Sequence, residues 1–129
     1  CARMDRKGVA VFIGIAGMAA ALPGMIAAYT GMRRPVIGVP LVSDIFDGYD
    51  ALSAMVRMPP GVPVAVCGIG KSGLVNAAVL ACQIVACSYP GISAALQEYL
   101  KKKAKPAQIA LQKGGELHEP RHATVFHVP

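Results

Sequence analysis

Tryptophan is absent from this chain, and aromatic residues make up only 5% of its 129 positions. A core without large rings must be filled by Ala, Val, Ile, Leu and Met. Stacking platforms for nucleic-acid bases are correspondingly scarce. Acidic residues are also few, 7 against 13 Lys and Arg, for a net charge of +6. The cations cluster at residues 3–7, 33–34 and 101–105. With so few aromatics interleaved, these clusters read as solvated faces and a basic helix end, and no nucleic-acid partner is expected. Cysteine is limited to Cys1, Cys67, Cys82 and Cys87, with no C-x-x-C pair, which excludes the common zinc and dithiol patterns. Three of the four lie in apolar runs and are expected as buried, reduced thiols.

Apolar sequence is abundant, at 54% of residues, and a chain of this length has room for one core. Two uncharged spans, 8–32 and 72–97, are each long enough to cross a bilayer. The first contains Gly14, Gly17, Pro23 and Gly24 and changes its period halfway. The second carries Asn76, Gln83 and the break Ser88-Tyr-Pro-Gly91. A strand–turn–helix and a helix–turn–helix account for them, so no membrane span is expected.

Residues 9–15 form an apolar β-branched run closed by a small-residue turn, the pattern of a parallel strand buried on both faces. A helix over 20–30 follows, with Pro23 tolerated in its first turn. Residues 36–39 predict a second strand, stopped by Pro40. A loop over 41–49 carries Ser43, Asp44, Asp47 and Gly48, and Asp50 caps a short helix over 51–57. Residues 63–67 predict a third strand, 68–73 a turn, and 74–86 a long buried helix. Ile92, Ala95, Leu96, Tyr99 and Leu100 recur at helical spacing, giving an amphipathic helix over 91–103 with cations in its last turn. Residues 1–105 are read as the domain and 106–129 as a loosely ordered tail. The alternation of strand and helix means an α/β fold with a parallel sheet. Three short parallel strands leave open edges, which other chains or further N-terminal strands would cover.

Several motifs point to chemistry. Gly68-Ile-Gly-Lys-Ser-Gly73 satisfies G-x-G-x-x-G between a strand and a helix. It follows the last strand, however, and no acidic residue stands about 20 positions on for a ribose, so it reads as a tight turn. Lys71 beside it is a mild anion-ligand candidate at a helix start. His118-Glu-Pro-Arg-His122 spells H-E-x-x-H, with His127 beyond. Pro120 breaks the helical turn that a metal site needs, so the motif reads as a chance match and no metal is assigned. Asp44, Asp47 and Asp50 share one loop and read either as solvation with a helix cap, or as acceptors for a cation or a sugar hydroxyl. Small residues at Ala16, Gly17, Ala19, Ala20 and Ala21 leave backbone uncovered where the first helix begins, a candidate site for an anion or a compact polar ligand.

Taken together, AGMAAALPGM (16–25), PVIGVP (35–40), DGYDALSAMVRMPPGVPVA (47–65) and GIGKSGLVNAAVLACQI (68–84) resemble the 5-carboxyaminoimidazole ribonucleotide mutases, the AIR-carboxylase-like enzymes of purine synthesis. The resemblance covers residues 8 to about 100. It implies a three-layer α/β/α flavodoxin-like sheet, here without its N-terminal strands. It also implies a cytoplasmic homo-octamer whose C-terminal helix packs on neighbouring subunits. The implied reaction moves a carboxylate from the exocyclic nitrogen of an imidazole ribonucleotide to ring carbon through a trapped CO2, with no metal or organic cofactor. On this resemblance Ala16, Gly17, Met18, Ala19, Leu22 and Pro23 bind substrate. The family's G-S-D-S-D and S-A-H-R motifs do not occur in these residues. Met18 stands at the second Gly of the family's G-G pair, and Ala21 stands where its His falls. No residue here is therefore assigned the proton transfer. Gly17-Met18 with Ala21-Leu22-Pro23 is also similar to the carboxylase of nickel-pincer cofactor synthesis, which acts on a pyridinium nucleotide. A non-catalytic, truncated or structural subunit is the third expectation.

Overall fold

The computed structural model describes residues 7–44 and 46–112, with side chains as far as Lys103. Among these residues, strands β1 (Phe12–Ala16), β2 (Val36–Pro40) and β3 (Ala65–Val66) form one parallel sheet in the order β1-β2-β3. Helices α1 (Ala21–Tyr29), α2 (Tyr49–Val56), α3 (Gly70–Ala86) and α4 (Pro90–Gln112) complete the described chain. Side chains of α1 and α2 pack on one face of the sheet and those of α3 on the other, giving the expected three layers. The chain divides into two units, Cys1–Leu96 and Gln97–Pro129, and the sheet belongs wholly to the first. No helix among the described residues is long and apolar enough to cross a membrane.

All five residues of β2 are buried, as a central parallel strand covered on both faces must be. Its side chains alternate. Val36 packs with Ile26 and Ala27 of α1, while Ile37 and Val39 pack with Ala77 of α3. Ile37 and Val39 are fully buried, each stabilising the fold by about 1.5–3 kcal/mol. Gly14 and Gly38 are paired across β1 and β2. A Cβ on Gly14 would lie 3.0 Å from Pro23 Cγ, and one on Gly38 would lie 2.7 Å from Met55 Sδ. The two missing methyls let α1 and α2 approach the sheet closely.

Several sequence expectations are corrected. β1 begins at Phe12, not at residue 9, and is not buried on both faces: Ile13 and Ile15 are 39% and 43% exposed. They share a face with their buried partners Ile37 and Val39, but the α3 cover centres on β2 and leaves them open. Asp50 does not cap α2. The helix starts at Tyr49, with Gly48 at the N-cap (φ 83°), and Asp50 sits in the first turn, where the helix dipole favours a carboxylate. β3 shrinks to Ala65–Val66, since Pro63 has no N–H for a ladder.

α3 starts at Gly70, inside the predicted turn, and is not a buried helix. Only Gly73 and Ala77 are buried, because one face meets the sheet and no described element covers the rest. Cys82 and Cys87, expected inside, are exposed for the same reason, and Cys67 is half-buried. α4 continues past Pro106 to Gln112, so the lysines at 101–103 fall inside the helix and its last turn carries no cation, contrary to expectation. On it, Lys102 Nζ lies 2.7 Å from Glu98 Oε1, one turn apart. Pro23 falls in the first turn of α1, as its missing N–H requires. The other end of α1 is closed by Thr30, which is fully buried. Its Oγ1 donates to the carbonyls of Ile26 (2.9 Å) and Ala27 (3.1 Å).

Candidate active site

Open parallel sheets leave a crevice beyond the carboxyl ends of their strands. β1 ends at Ala16 and β2 at Pro40, and one further bond, Leu41 N–H to the Ala16 carbonyl at 2.9 Å, holds the two exits together. Past that bond the chains diverge around a cleft of about 720 Å³. Gly17, Met18 and Ala19 line it from the β1 side. Leu41, Val42, Ser43, Asp44 and Phe46 line it from the loop after β2, and Asp50 adds its carboxylate from the first turn of α2.

The β1 wall is a tight turn in which the Ala20 N–H donates to the Gly17 carbonyl at 3.0 Å. Met18 (φ 55°) and Ala20 (φ 44°) both hold left-handed backbone. For a residue bearing a Cβ this conformation costs about 1 kcal/mol. Across the cleft, Ser43 Oγ lies 3.3 Å from each carboxylate oxygen of Asp50 and donates to that carboxylate. Asp47 (φ 49°) donates its backbone N–H to the Ser43 carbonyl at 3.1 Å, and its side chain is not part of the described lining. Of the three loop acids, the fold thus brings Asp44 and Asp50 to the cleft. Its described lining holds two carboxylates and a hydroxyl among apolar groups, and no cation. Such a surface accepts hydrogen bonds from N–H or O–H donors and repels a phosphate. No group of three His, Cys, Asp or Glu among the described residues is placed to hold a metal ion.

The six residues assigned to substrate from the sequence separate into two sets. Gly17, Met18 and Ala19 line the cleft. Ala16 packs against the Ala20, Ala51 and Met55 cluster, and Pro23 is buried against Gly14. Leu22 is exposed on α1 and lies outside the described lining. Leu41, Val42 and Phe46 were not singled out from the sequence. Their signal was positional, since they follow directly on the second strand of a parallel pair.

The remaining motifs behave as backbone devices or lie elsewhere. In the G-x-G-x-x-G segment, Gly68 (φ 134°) and Gly70 (φ 61°) take conformations that side chains resist. A Cβ on Gly73 would collide with the Gly68 carbonyl, so the segment is a tight strand-to-helix turn. Asn76 Nδ2 braces it by donating to the Cys67 carbonyl at 3.0 Å. Lys71 is exposed. The H-E-x-x-H segment, His127 and Cys1 lie outside the described residues. A second hollow of about 540 Å³, along residues 55–65, is lined by apolar side chains and offers no side-chain donor or acceptor.

Comparison with known proteins bears on what the cleft belongs to. The family model described as AIR carboxylase matches residues 1–106, which contain every described residue of the cleft. The N5-carboxyaminoimidazole ribonucleotide mutase of Pseudomonas aeruginosa is 47% identical over 95 residues, 74% of this chain and 57% of that protein. The mutase of the same name from Bacillus subtilis is 43% identical over 111 residues, 86% of this chain and 65% of that one. A phosphoribosylaminoimidazole carboxylase of Schizosaccharomyces pombe is 42% identical over 113 residues, 88% of this chain and 19% of its own length. The chain thus spans between half and two-thirds of the length of the mutases it matches. The parallel three-layer fold, the crevice at its strand ends and a family match running through both lead to one assignment: the chain belongs to the AIR carboxylase family.

Proposed function

We propose that this chain acts in purine biosynthesis, in the interconversion of 5-carboxyaminoimidazole ribonucleotide and 4-carboxy-5-aminoimidazole ribonucleotide. One observation carries the reading: the cleft at the ends of β1 and β2 falls wholly within the residues that match the family. The matched relatives bear the names of imidazole-ribonucleotide mutases and carboxylases, which favours that substrate over a pyridinium nucleotide.

In this reaction the exocyclic nitrogen takes up a proton as its bond to the carboxyl carbon breaks and CO2 is set free. Ring carbon then attacks CO2 and gives up its own proton, so the two proton transfers cancel and the reaction is a net isomerisation. The chain's own contribution is to hold and orient. Gly17 and Ala19 present small groups beside which CO2 can lie, and Leu41 and Val42 add apolar side chains to the wall beyond them. Asp44 and the Ser43–Asp50 pair accept from the amine or the ribose hydroxyls. The described lining assigns no group to the ring-carbon proton. Phosphate would be held away from the two carboxylates.

The proposal extends to a homo-oligomer in the cytoplasm, octameric by resemblance. Supporting it are the apolar side chains left open on β1 and α3, namely Ile13, Ile15, Leu74 and Val75. Titration calorimetry of the chain with 5-aminoimidazole ribonucleotide tests the substrate reading. Saturable binding, weakened about tenfold or more by Asp44→Asn, is expected for an acceptor whose charge assists the bond. Absence of binding at millimolar nucleotide would overturn it.

A further inference from the structure

The sequence places a methionine where the backbone favours glycine, and folding alone supplies no reason for it. Met18 is 72% exposed, so its side chain gains little by burial, while its left-handed φ of 55° costs stability. Met32 shares this backbone (φ 55°) and is half exposed without lining the cleft, so it is the place of Met18 on the cleft wall that gives its strain a functional reading. Phe46 repeats half of that pattern on the opposite wall: a phenyl group, 59% exposed, on the loop after β2. In a chain with only 3 Phe and no Trp, leaving one open at the cleft is a costly use of a ring.

A thioether and a phenyl group share one preference. Both favour the face or edge of a flat π system, the first through its polarizable sulfur and the second by offset stacking. Around them the described lining has hydrogen-bond acceptors, Asp44 and Asp50, and no cation for a phosphate. The part of a nucleotide that suits this cleft is therefore its heteroaromatic ring, with N–H or O–H donors at the ring's edge.

We propose that Met18 and Phe46 are the specificity-determining pair of the cleft, receiving a flat nitrogen heterocycle between a thioether and a phenyl group. The proposal rests on the nucleotide reading given above and deepens it by assigning the ring, not the sugar phosphate, to this cleft. Neither residue is a catalytic group on this account. Each selects and positions the ring.

The test is calorimetric titration of the unsubstituted chain, Met18→Ala, Phe46→Ala and Met18→Gly. Each is titrated with 5-aminoimidazole ribonucleotide and, separately, with ribose 5-phosphate, which lacks the ring. Each substitution is expected to weaken the ribonucleotide about three- to tenfold, while ribose 5-phosphate, without a ring, binds the parent far more weakly or not at all and is not affected by the substitutions. Met18→Gly removes side chain and backbone strain together, so it keeps the test open if Met18→Ala folds poorly. Variants that bind the ribonucleotide as tightly as the parent overturn the pair while leaving the nucleotide reading intact. Equal weakening of both compounds also overturns it, because ring recognition would not extend to a ringless sugar phosphate. A parent chain that binds neither compound overturns the nucleotide reading and this inference with it.

Discussion

Left-handed backbone at Met18 and a bare Cα at Gly17 make adjacent residues of one turn respond oppositely to substitution. Met18→Gly is expected to raise the free energy of unfolding by about 1 kcal/mol, read from the urea midpoint, because glycine holds positive φ without a Cβ penalty. Gly17 has no such constraint: an added Cβ would sit 3.6 Å from Leu41 Cβ, an ordinary contact. Gly17→Ala is therefore expected to fold with an unchanged melting temperature while adding a methyl to the cleft. Its effect is expected in nucleotide affinity alone. Gly38→Ala is the contrasting case, since its Cβ would meet Met55 Sδ at 2.7 Å and Val64 Cγ1 at 2.9 Å. Overpacking of that kind costs about 1–3 kcal/mol, and equilibrium denaturation is expected to show it.

At the scale of elements, α1 depends on its carboxyl end more than on its start. Its N-cap residue, Ala20, makes no side-chain capping bond, whereas buried Thr30 donates to two carbonyls at the other end. Thr30→Val keeps the shape and removes the donor, and is expected to lower stability by about 1 kcal/mol in thermal or urea unfolding. The elements were legible in the sequence wherever the apolar period was strong. The strand cores of β1 and β2, the first-turn position of Pro23 and a helix through Ile92 to Leu100 all read correctly. Boundaries were lost where glycine decided them. Gly48 took the N-cap from Asp50, and Gly70 began α3 four residues before Leu74. Burial of α3 was misread because an apolar composition does not say which face has a neighbour. In the cleft, Gly17, Met18, Ala19, Asp44 and Asp50 were visible as residue types with a chemistry. Leu41, Val42 and Phe46 were not, because only strand pairing brings their loop opposite the first turn.

The whole molecule presents an uneven surface. Ile13 and Ile15 on β1 and Leu74 and Val75 on α3 remain open, an apolar share that a small isolated domain rarely leaves in water. Sedimentation velocity is expected to find assemblies larger than a monomer. The double substitution Leu74→Asp with Val75→Asp is expected to shift them toward smaller species, since a charge buried at a contact is strongly unfavourable. Secondary structure is expected to survive that change, because neither side chain belongs to the buried core.

The strand order carries a kinetic consequence. Each strand pairs with the strand next along the chain, and a single helix bridges each pairing. Each closure spans one helix and its flanking loops, so no pairing has to wait for a distant part of the chain. The β1–α1–β2 unit contains both sides of its own pairing and can form before α3 exists. As the chain leaves the ribosome, the turn at Met18 and the β2 exit are then brought side by side early. The outer face of the sheet is covered last, when α3 arrives over Ile37 and Val39.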